Sequence, residues 1–335
     1  MEQIVKILRE QDKFVIAGHI GPDGDTIGSC FAIARVLAKL GKTVVVMLES
    51  YAPKYNILPG REYLYDAAAK LEMDVFVALD CADIQRLGAS RSFFGKAKTT
   101  ICIDHHATNP GFAEHNYIDG NASSTAEMVF GVIEALDASL LDADVAACLY
   151  AGIVGDTGGF RYDSTSRRTM EIATKLMEMR IPFPEIYREM LYMHSFAAAK
   201  AFGIALTNCE SALDGRIVYT HITREMLASA NADSSDMDNV AEYLMNTRDA
   251  EVALFFYERH QPLADDAAEP AETDEPSEIK PRKVKVSMRS KRINVGKIAA
   301  ELGGGGHVLA AGCTVKGLMP EIVQGVLARV TREFE

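Results

Sequence analysis

The fold is decided near the start of the chain, where residues 14–26 read FVIAGHIGPDGDT. The opening apolar run is typical of a buried β-strand, and the glycines and proline that follow favour a tight loop. Apolar residues then recur at helical spacing over Thr26–Leu40, and Gly41 stands where such a helix would stop. A strand, a loop and a helix in this order predict the first half of a βαβ unit, with Asp25 or Thr26 as the helix cap.

The same alternation of short apolar runs and longer helical patterns continues along the first half of the chain. The predicted strands are Phe14–Ala17, Thr43–Met47, Val75–Leu79 and Thr99–Ile103. The further predicted helices are Thr125–Leu136, Ala143–Val154 and Arg167–Arg180. Strands that alternate with helices indicate an α/β fold, with a mostly parallel sheet flanked by helices.

A second, smaller α/β domain is predicted in the carboxyl-terminal part of the chain. Its predicted elements are a helix near Tyr187–Glu210, strands at Arg216–His221, Glu251–Glu258 and Lys283–Met288, and a helix at Asp238–Asn246. The length of 335 residues also favours two domains, since a typical domain has about 150 residues. We predict a first domain over 1–190, a helical linker over 191–212 and a second domain over 213–335 that carries an acidic insertion at 261–279.

The composition is that of an ordinary globular protein. Hydrophobic residues make up 48% and charged residues 24% of the chain, which excludes a disordered, collagen-like or disulfide-scaffold protein. The net charge of −12 argues against a protein that coats duplex nucleic acid or an anionic membrane. The six cysteines have no paired C-x-x-C spacing, and neither a secretory leader nor a membrane span is evident. We therefore expect reduced cysteines and a cytoplasmic location.

Three of the predicted strands run directly into ionisable residues. His19 follows the first strand, Asp80 follows the third, and Asp104-His105-His106 follows the fourth. Ligands bind beyond the carboxyl ends of the strands in open parallel sheets, so these residues are expected to meet in one crevice although they are far apart in sequence.

The expected crevice contains several carboxylates, and their negative charges are unfavourable in a site with little water. Asp23, Asp25 and Asp80 are joined by Asp156, which ends an apolar helix among glycines. Four carboxylates would repel each other strongly unless divalent cations neutralised them. Mixed carboxylate and imidazole ligands suit Mn²⁺, Fe²⁺, Co²⁺ or Zn²⁺ better than Mg²⁺. Two ions about 3.5–4 Å apart that share one carboxylate would form a two-metal hydrolytic site.

The second domain carries a glycine-rich sequence, in which residues 302–307 read LGGGGH. Consecutive glycines destabilise helices and strands, so they indicate either a flexible turn or a loop whose backbone meets a phosphate or nucleotide. Arg289 on the preceding strand favours the second interpretation, because arginine offers a two-pronged donor to phosphate. The candidate ligand-binding residues are Ser287, Arg289, Gly304, Gly305, Gly306 and His307.

Taken together, these motifs resemble the DHH phosphoesterase superfamily over nearly the whole chain. The residues that carry the resemblance are His19, Asp23, Asp25, Asp80, Asp104-His105-His106 and Asp156, followed by Gly303–His307 and Ala310-Ala311-Gly312. The second set is similar to the DHH-associated domain. Size and motif order resemble most the stand-alone bifunctional oligoribonucleases and 3′-phosphoadenosine 5′-phosphate phosphatases, often called nanoRNases. The resemblance places the active site in the cleft between the two domains.

The resemblance also implies a role for each residue. The implied ligands are His19, Asp23 and Asp80 for one Mn²⁺, and Asp25, Asp80, His105 and Asp156 for the other. Asp80 would then be the bridge, His106 would face the scissile phosphate, and Asp104 would orient an imidazole. Arg289 and His307 would grip the terminal phosphate or base of a short substrate. Further implied phosphate contacts are Ser123, in the turn at 121–125, and Arg161.

The implied activity is the Mn²⁺-dependent, two-metal hydrolysis of oligoribonucleotides of about two to five nucleotides, of 3′-phosphoadenosine 5′-phosphate to AMP, or of both. Linear or cyclic dinucleotides such as pApA and c-di-AMP stay open as substrates, and a nucleotide-binding regulator is the non-enzymatic alternative. Neither a membrane nor a long duplex is an expected partner, and a homodimer stays open. The acidic insertion departs from the family pattern, and it either changes cleft access or partner choice or is a tolerated surface insertion.

Overall fold

The computed structural model describes residues 1–67, 71–237, 239–258 and 281–334, and the predicted acidic insertion at 261–279 lies outside them. The chain divides into two compact units, Met1–Met193 and His194–Glu335. The first unit therefore covers the predicted first domain together with residues 191–193 of the predicted linker.

The first unit is built on a five-stranded sheet in which every pair of strands is parallel. Its strands are β1 Lys13–Ala17, β2 Thr43–Met47, β3 Val75–Leu79, β4 Thr99–Asp104 and β5 His115–Ile118, in the order β2-β1-β3-β4-β5. Its helices are α1 Glu2–Glu10, α2 Gly24–Lys39, α3 Arg91–Phe94, α4 Thr125–Asp137, α5 Ala143–Asp156, α6 Arg167–Glu178 and α7 Phe183–Leu191. Short 3₁₀ turns lie at Pro53–Ile57, Arg61–Tyr63, Ile84–Ser90 and Ala138–Leu140. The predicted α/β class with a parallel sheet is confirmed.

Both faces of this sheet are covered. Phe14 and Ile16 of β1 pack into the main core with residues of α1, α2 and α4 to α7. Val15 and Ala17 face the other side, where they belong to a smaller core that includes Phe94 of α3. Strands that are buried on both faces read as continuous apolar runs, which is why the runs in the sequence predict their bounds so closely.

Helix α2 begins two residues earlier than predicted, at Gly24, because Asp23 is its cap. The Oδ1 atom of Asp23 accepts hydrogen bonds from the backbone N–H groups of Asp25 and Thr26, both at 3.1 Å. The expectation that Asp25 or Thr26 caps this helix is therefore wrong. The cap satisfies the first free N–H groups of the helix and leaves the Asp25 side chain available for another partner.

The single helix predicted near Tyr187–Glu210 is wrong as well, because the structure has two helices there. Helix α7 ends at Leu191, and α8 covers Phe196–Thr207. Tyr192 leaves the helical conformation with φ −127°, and the side chain of Ser195 accepts a hydrogen bond from the backbone N–H of Ala198. A serine cap of this kind starts a new helix rather than continuing an old one.

The second unit contains a six-stranded mixed sheet. Its strands are β6 Glu210–Ala212, β7 Ile217–Ile222, β8 Val252–Glu258, β9 Arg282–Ser290, β10 Gly305–Gly306 and β11 Ala310–Gly317, in the order β10-β11-β9-β8-β7-β6. Its helices after α8 are α9 Arg224–Ala230, α10 Val240–Leu244, α11 Val295–Glu301 and α12 Met319–Arg332, with a 3₁₀ turn at Ser234–Met237. The predicted helix at Asp238–Asn246 corresponds to the shorter α10, and its residue 238 lies outside the described residues.

Two cores stabilise this second sheet from opposite faces. Val252, Leu254 and Phe256 of β8 pack with residues of α11 and α12. Phe255 and Tyr257, which alternate with them, pack with residues of α8, α9 and α10. In the part of the chain that the structure describes, no helix is long and apolar enough to cross a membrane.

Candidate metal centre

The strand ends of the first sheet bring their ionisable side chains together. The chain moves from β1 to β2 at one edge and then returns to β3 on the other side of β1, so a topological switch point lies between β1 and β3. His19 follows β1 and Asp80 follows β3. Three groups of side chains each place their potential ligand atoms within 4.8 Å of one another. The first group is His19, Asp23 and Asp80, the second is Asp80, His105 and His106, and the third is Asp25, His105 and Asp156.

Asp80 is shared by two of these groups, and it is only 2% exposed. Its Oδ2 atom lies 3.5 Å from Nε2 of His19, and its Oδ1 atom lies 3.6 Å from Nε2 of His105. The hydroxyls of Thr26 and Thr125 donate to Oδ2 and Oδ1, at 2.6 Å and 3.2 Å. The backbone of Asp80 has φ 54°, a left-handed conformation that is unfavourable for most residues and that clusters at functional sites. The fold therefore fixes this carboxylate between two imidazoles.

His19 connects Asp80 to Asp23. Its Nε2 atom lies 3.6 Å from Oδ2 of Asp23, while its Nδ1 atom lies 2.9 Å from the carbonyl oxygen of Ile20. A bond from Nδ1–H to that carbonyl leaves Nε2 as the nitrogen that faces the carboxylates. Because Oδ1 of Asp23 caps α2, its Oδ2 atom is the one directed to His19.

Asp25 is held by a helix that starts much later in the chain. Its Oδ2 atom accepts a hydrogen bond from the backbone N–H of Thr125 at 2.6 Å, and its Oδ1 atom accepts one from Ala126 at 2.8 Å. Both donors belong to the amino-terminal turn of α4, which carries partial positive charge. Gly152 of α5 leaves the room for this arrangement, since a Cβ atom there would lie 2.8 Å from Oδ1 of Asp25. The sequence pattern did not indicate this contact.

The two adjacent histidines have different partners. Nε2 of His105 lies 3.1 Å from Oδ2 of Asp156, whereas Nδ1 of His106 lies 2.7 Å from Oδ1 of Asp104. Asn109 donates from Nδ2 to Oδ2 of Asp104 at 2.7 Å. Asn109 was missed by the sequence analysis, although an amide five residues after Asp104, in the turn that follows the histidines, was a signal that could have found it.

The pKa values of His19, His105 and Asp156 are all raised in this site. Burial alone would lower the pKa of His19, but Asp23 and Asp80 outweigh it and raise the pKa to about 10. The pKa of His105 is likewise raised to about 10, since Asp156 and the neighbouring carboxylates outweigh its burial. For Asp156, burial and the charges of Asp80 and Asp23 outweigh the help from His105 and raise the pKa to about 6.

The pKa values of Asp25 and Asp23 are shifted in opposite directions. Full burial, together with the charges of Asp80 and Asp156, raises the pKa of Asp25 above its usual range. Burial would also raise the pKa of Asp23, but the hydrogen bond and the charge of His19 outweigh it and lower the pKa to about 2. A divalent cation would relieve the repulsion that raises the pKa of Asp25 and Asp156. The donor set of carboxylate oxygens and imidazole nitrogens therefore fits such an ion.

Two residues predicted to contact phosphate have other partners. The hydroxyl of buried Ser123 donates to Oε2 of Glu127 at 2.7 Å, and Nε of Arg161 donates to the carbonyl oxygen of Gly158 at 2.7 Å. Neither residue belongs to the three groups of potential ligands. Glu127, which the sequence analysis did not single out, is buried and also accepts a hydrogen bond from the hydroxyl of Thr169 at 2.7 Å.

The remaining predicted residues lie in the second unit. Ser287 and Arg289 are on β9, opposite Gly312 and Ala310 of β11. Nη1 of Arg289 donates to the carbonyl oxygen of Met288 at 3.0 Å. The backbone N–H of His307 donates to the carbonyl oxygen of Ala310 at 2.8 Å, which closes the turn between β10 and β11.

The glycine-rich segment is not a loop throughout, because Gly305 and Gly306 form strand β10. They pair with Gly312 and Ala311, so no residue of this strand pair carries a side chain larger than a methyl group. Gly306 has φ 140°, and a Cβ atom on Gly304 would lie 2.2 Å from the carbonyl oxygen of Gly312, so the fold itself requires glycine at both positions. At Gly305, by contrast, a Cβ atom would meet no atom of the described residues within 4 Å.

Comparison with known proteins agrees with this geometry. Residues 13–153 match the model of the DHH family, N-terminal domain, and residues 214–335 match that of the DHHA1 domain. A bifunctional oligoribonuclease and PAP phosphatase NrnA from Thermus thermophilus is 30% identical over 340 aligned positions, which cover all of this chain and 94% of the relative. The chain belongs to the DHH phosphoesterase family. The predicted family resemblance and the prediction of an enzyme are thereby confirmed.

Other relatives share this architecture. The Bacillus subtilis protein of the same name is 24% identical, over 93% of this chain and 92% of that protein. Among solved structures, an exopolyphosphatase-related protein from Bacteroides fragilis has a TM-score of 0.86 and 25% identity, over 99% of this chain and 95% of the other. RecJ from Thermus thermophilus, solved with Mn²⁺, has a TM-score of 0.54 and 15% identity, over 98% of this chain and 53% of RecJ, which indicates a shared fold.

Proposed function

We propose that this DHH protein is an Mn²⁺-dependent phosphoesterase that hydrolyses oligoribonucleotides of about two to five nucleotides, and 3′-phosphoadenosine 5′-phosphate to AMP, by a two-metal mechanism. The observation that carries the proposal is the place of Asp80, whose carboxylate lies within reach of both His19 and His105. The relatives that are named oligoribonuclease and PAP phosphatase support the substrate class.

Six residues would hold the two cations. The proposed ligands are His19, Asp23 and Asp80 for one ion, and Asp25, Asp80, His105 and Asp156 for the other. Cations of this kind act as Lewis acids and make water a competent nucleophile at neutral pH. The chain contributes rigidity, because the hydroxyls of Thr26 and Thr125 and the backbone of α4 fix the carboxylates before any substrate arrives.

His106 would stabilise the negative charge that develops on the phosphate oxygens. Its Nδ1 atom is held by Asp104, so its Nε2 atom would be the one that faces a non-bridging oxygen. Asn109 keeps Asp104 from rotating, since it occupies the second carboxylate oxygen. His106 and Asp104 therefore work as a unit in the proposal, with Asp104 as the positioning residue.

The substrate end would be bound by the second unit. The proposed contacts are Ser287, Arg289, Gly304, Gly305, Gly306 and His307. Gly305 gives the sharpest test of this assignment, because the described structure has room for a side chain there. The Gly305→Ala variant should keep the melting temperature of the wild type and raise KM for short substrates. An unchanged KM would show that no substrate lies close to the backbone at Gly305.

The first experiment is the hydrolysis of a labelled RNA series from two to about twenty-four nucleotides, beside 3′-phosphoadenosine 5′-phosphate and the dinucleotides pApA and c-di-AMP. Each substrate is tested with Mn²⁺ and with chelator. We expect Mn²⁺-dependent turnover that is fastest on the shortest RNAs. Faster turnover of the dinucleotides would make the protein a dinucleotide phosphodiesterase. Turnover of none of them would favour a nucleotide-binding regulator.

The Asp80→Asn variant tests the two-metal assignment. Asparagine tolerates the left-handed backbone, keeps an acceptor oxygen for one threonine hydroxyl and can donate its NH2 group to the other, so the fold should survive while the bridging charge is lost. We expect turnover to fall at least about a hundredfold. The matched control is Asp83→Asn, three residues away, where the side chain only caps a 3₁₀ turn and asparagine caps equally well. Equal turnover in the two variants would refute the assignment.

A further inference from the structure

The second sheet has a row of cations on one face of its strands β9 and β11. Lys283, Lys285 and Arg289 alternate along β9 with Val284, Val286 and Met288, which are buried in the core. Lys316 of β11 is directly opposite Lys283. Side chains of opposite residues lie on the same face of a sheet, so these four form one row, which we call the basic row.

The basic row stands out from the rest of the chain by its charge. The chain has a net charge of −12, yet the sequences of β9, β10 and β11 contain no acidic residue. Lys285 is half-buried, and its Nζ atom lies 5.5 Å from the ring centre of Tyr257, which restricts the side chain through a cation–π contact. Lys316 and Thr314 of β11 are exposed. The face therefore offers positive charge and hydroxyl donors on a rigid strand pair.

We infer that the basic row binds backbone phosphates of a single-stranded oligoribonucleotide beyond its terminal nucleotide. This inference rests on the proposed function, in which Arg289 and Ser287 contact the terminal nucleotide. Ser287 and Lys285 continue from Arg289 along the same face, and Lys283 and Lys316 end the row. A dinucleotide would reach only the Arg289 end, whereas a strand of four or five nucleotides would reach the lysines.

The spacing of the row favours a nucleotide strand over inorganic polyphosphate. Residues two apart on a strand are separated by about 6.8 Å, so the row from Arg289 to Lys283 is about 20 Å long. Successive phosphates of RNA are separated by a whole ribose, whereas those of polyphosphate share an oxygen and lie much closer together. Three cations and a serine hydroxyl, spaced in steps of two residues along one strand, therefore suit the RNA backbone.

The test compares two double variants with the same change in charge, both in the Asp80→Asn background, in which hydrolysis of the RNA is expected to be at least about a hundredfold slower. Lys285→Ala/Lys316→Ala removes part of the row, and Lys200→Ala/Lys297→Ala removes cations from α8 and α11. Binding of a labelled five-nucleotide RNA is measured by fluorescence anisotropy against salt. Each phosphate contact to a single strand contributes about 0.7 to the slope of log affinity against log salt.

We expect the row variant to lose about 1.4 of that slope, while the control variant keeps it. Between about 50 and about 200 mM salt, the affinity of the control should then fall about sevenfold more than that of the row variant. With active protein, the row variant should also raise KM for the five-nucleotide RNA more than KM for the dinucleotide.

Equal slopes in the two variants, or an equal rise of KM for both RNA lengths, would overturn the inference. The labelled RNA is also displaced by unlabelled RNA or by polyphosphate of equal phosphate content. If polyphosphate displaces it more strongly than RNA does, the choice of RNA as the ligand would be overturned. Binding needs no turnover, so these outcomes are distinct from a failure of the proposed function, which would appear as a wild-type protein that hydrolyses none of the substrates.

Discussion

Two glycines of the same helix provide a test of how tightly the candidate metal centre is packed. In α5, an added Cβ atom at Gly152 would lie 2.8 Å from Oδ1 of Asp25 and 2.7 Å from Cβ of Ala126. At Gly155, one turn later, the nearest atom would be Cα of Gly24 at 3.9 Å, an ordinary contact distance. The substitutions Gly152→Ala and Gly155→Ala therefore add the same methyl group to the same helix, and only the first forces its neighbours to move.

The size of the effect follows from these distances. Alanine is favoured over glycine in a helix by up to about 1 kcal/mol, and both variants gain this term. Gly152→Ala must also move Asp25 or α5 by about 0.6 Å to restore a 3.4 Å contact, and overpacking of this kind costs about 1–3 kcal/mol. The two variants should therefore differ by about 1–3 kcal/mol in the free energy of unfolding. For a unit of this size, that difference is about 2–12 °C in melting temperature.

The assay is thermal unfolding of both variants and of the wild type in metal-free buffer, followed by Mn²⁺ titration of the folded proteins. Since Asp25 is a proposed ligand, a displacement of this size should lower turnover by about tenfold to a hundredfold in Gly152→Ala, and Gly155→Ala should stay close to the wild type. Equal melting temperatures and equal Mn²⁺ affinities in the two variants would refute the argument that Gly152 sets the position of the Asp25 carboxylate.

Three further predictions concern protons, a buried acid and a helix contact. His19 and His105 have pKa values raised to about 10, so both rings should be protonated at pH 7 without metal. Mn²⁺ binding should therefore release protons and strengthen as the pH rises. Calorimetry in two buffers of different ionisation enthalpy would measure the protons released, and binding without proton release would contradict the prediction. Glu127→Ala should leave two buried hydroxyls without their acceptor and destabilise the protein by about 1–3 kcal/mol, whereas an unchanged melting temperature would show that these hydrogen bonds contribute nothing. Gly28→Ala should lower the melting temperature because its Cβ atom would lie 2.3 Å from the carbonyl oxygen of Cys148, whereas Gly203→Ala, with open space within the described residues, should raise it slightly.

Most of the first sheet was predictable from the sequence, because its central strands β1, β3 and β4 are largely buried and β2 is also an apolar run. The apolar runs at Thr43–Met47 and Val75–Leu79 match β2 and β3 residue for residue. Strand β5, His115–Ile118, was missed, because an edge strand of polar and aromatic residues has neither an apolar run nor a clear alternation. The convergence of His19, Asp80 and His105 follows from topology alone, since parallel strands end at one edge.

The supporting contacts could not be predicted in the same way, because they depend on how distant segments pack. Nothing near Asp25 in the sequence indicates that its partners are the backbone N–H groups of Thr125 and Ala126. Similarly, the left-handed backbone of Asp80 is visible only in the structure, since aspartate adopts this conformation in a minority of its occurrences. Sequence patterns report on local periodicity, and these features are tertiary.

The helix ends favour two of the four carboxylates in the crevice and disfavour Asp156. Asp23 caps α2 and Asp25 accepts two N–H groups from the start of α4, so each lies at the positive end of a helix. Asp156 is the last residue of α5, at the negative end, and there its pKa is raised to about 6. Its partner is His105, whose positive charge would be lost if the ring bound a metal ion as proposed. Charge neutralisation by a cation is therefore needed most on the Asp156 and His105 side of Asp80, and we expect Asp156→Asn to weaken Mn²⁺ binding on that side more than on the His19 side.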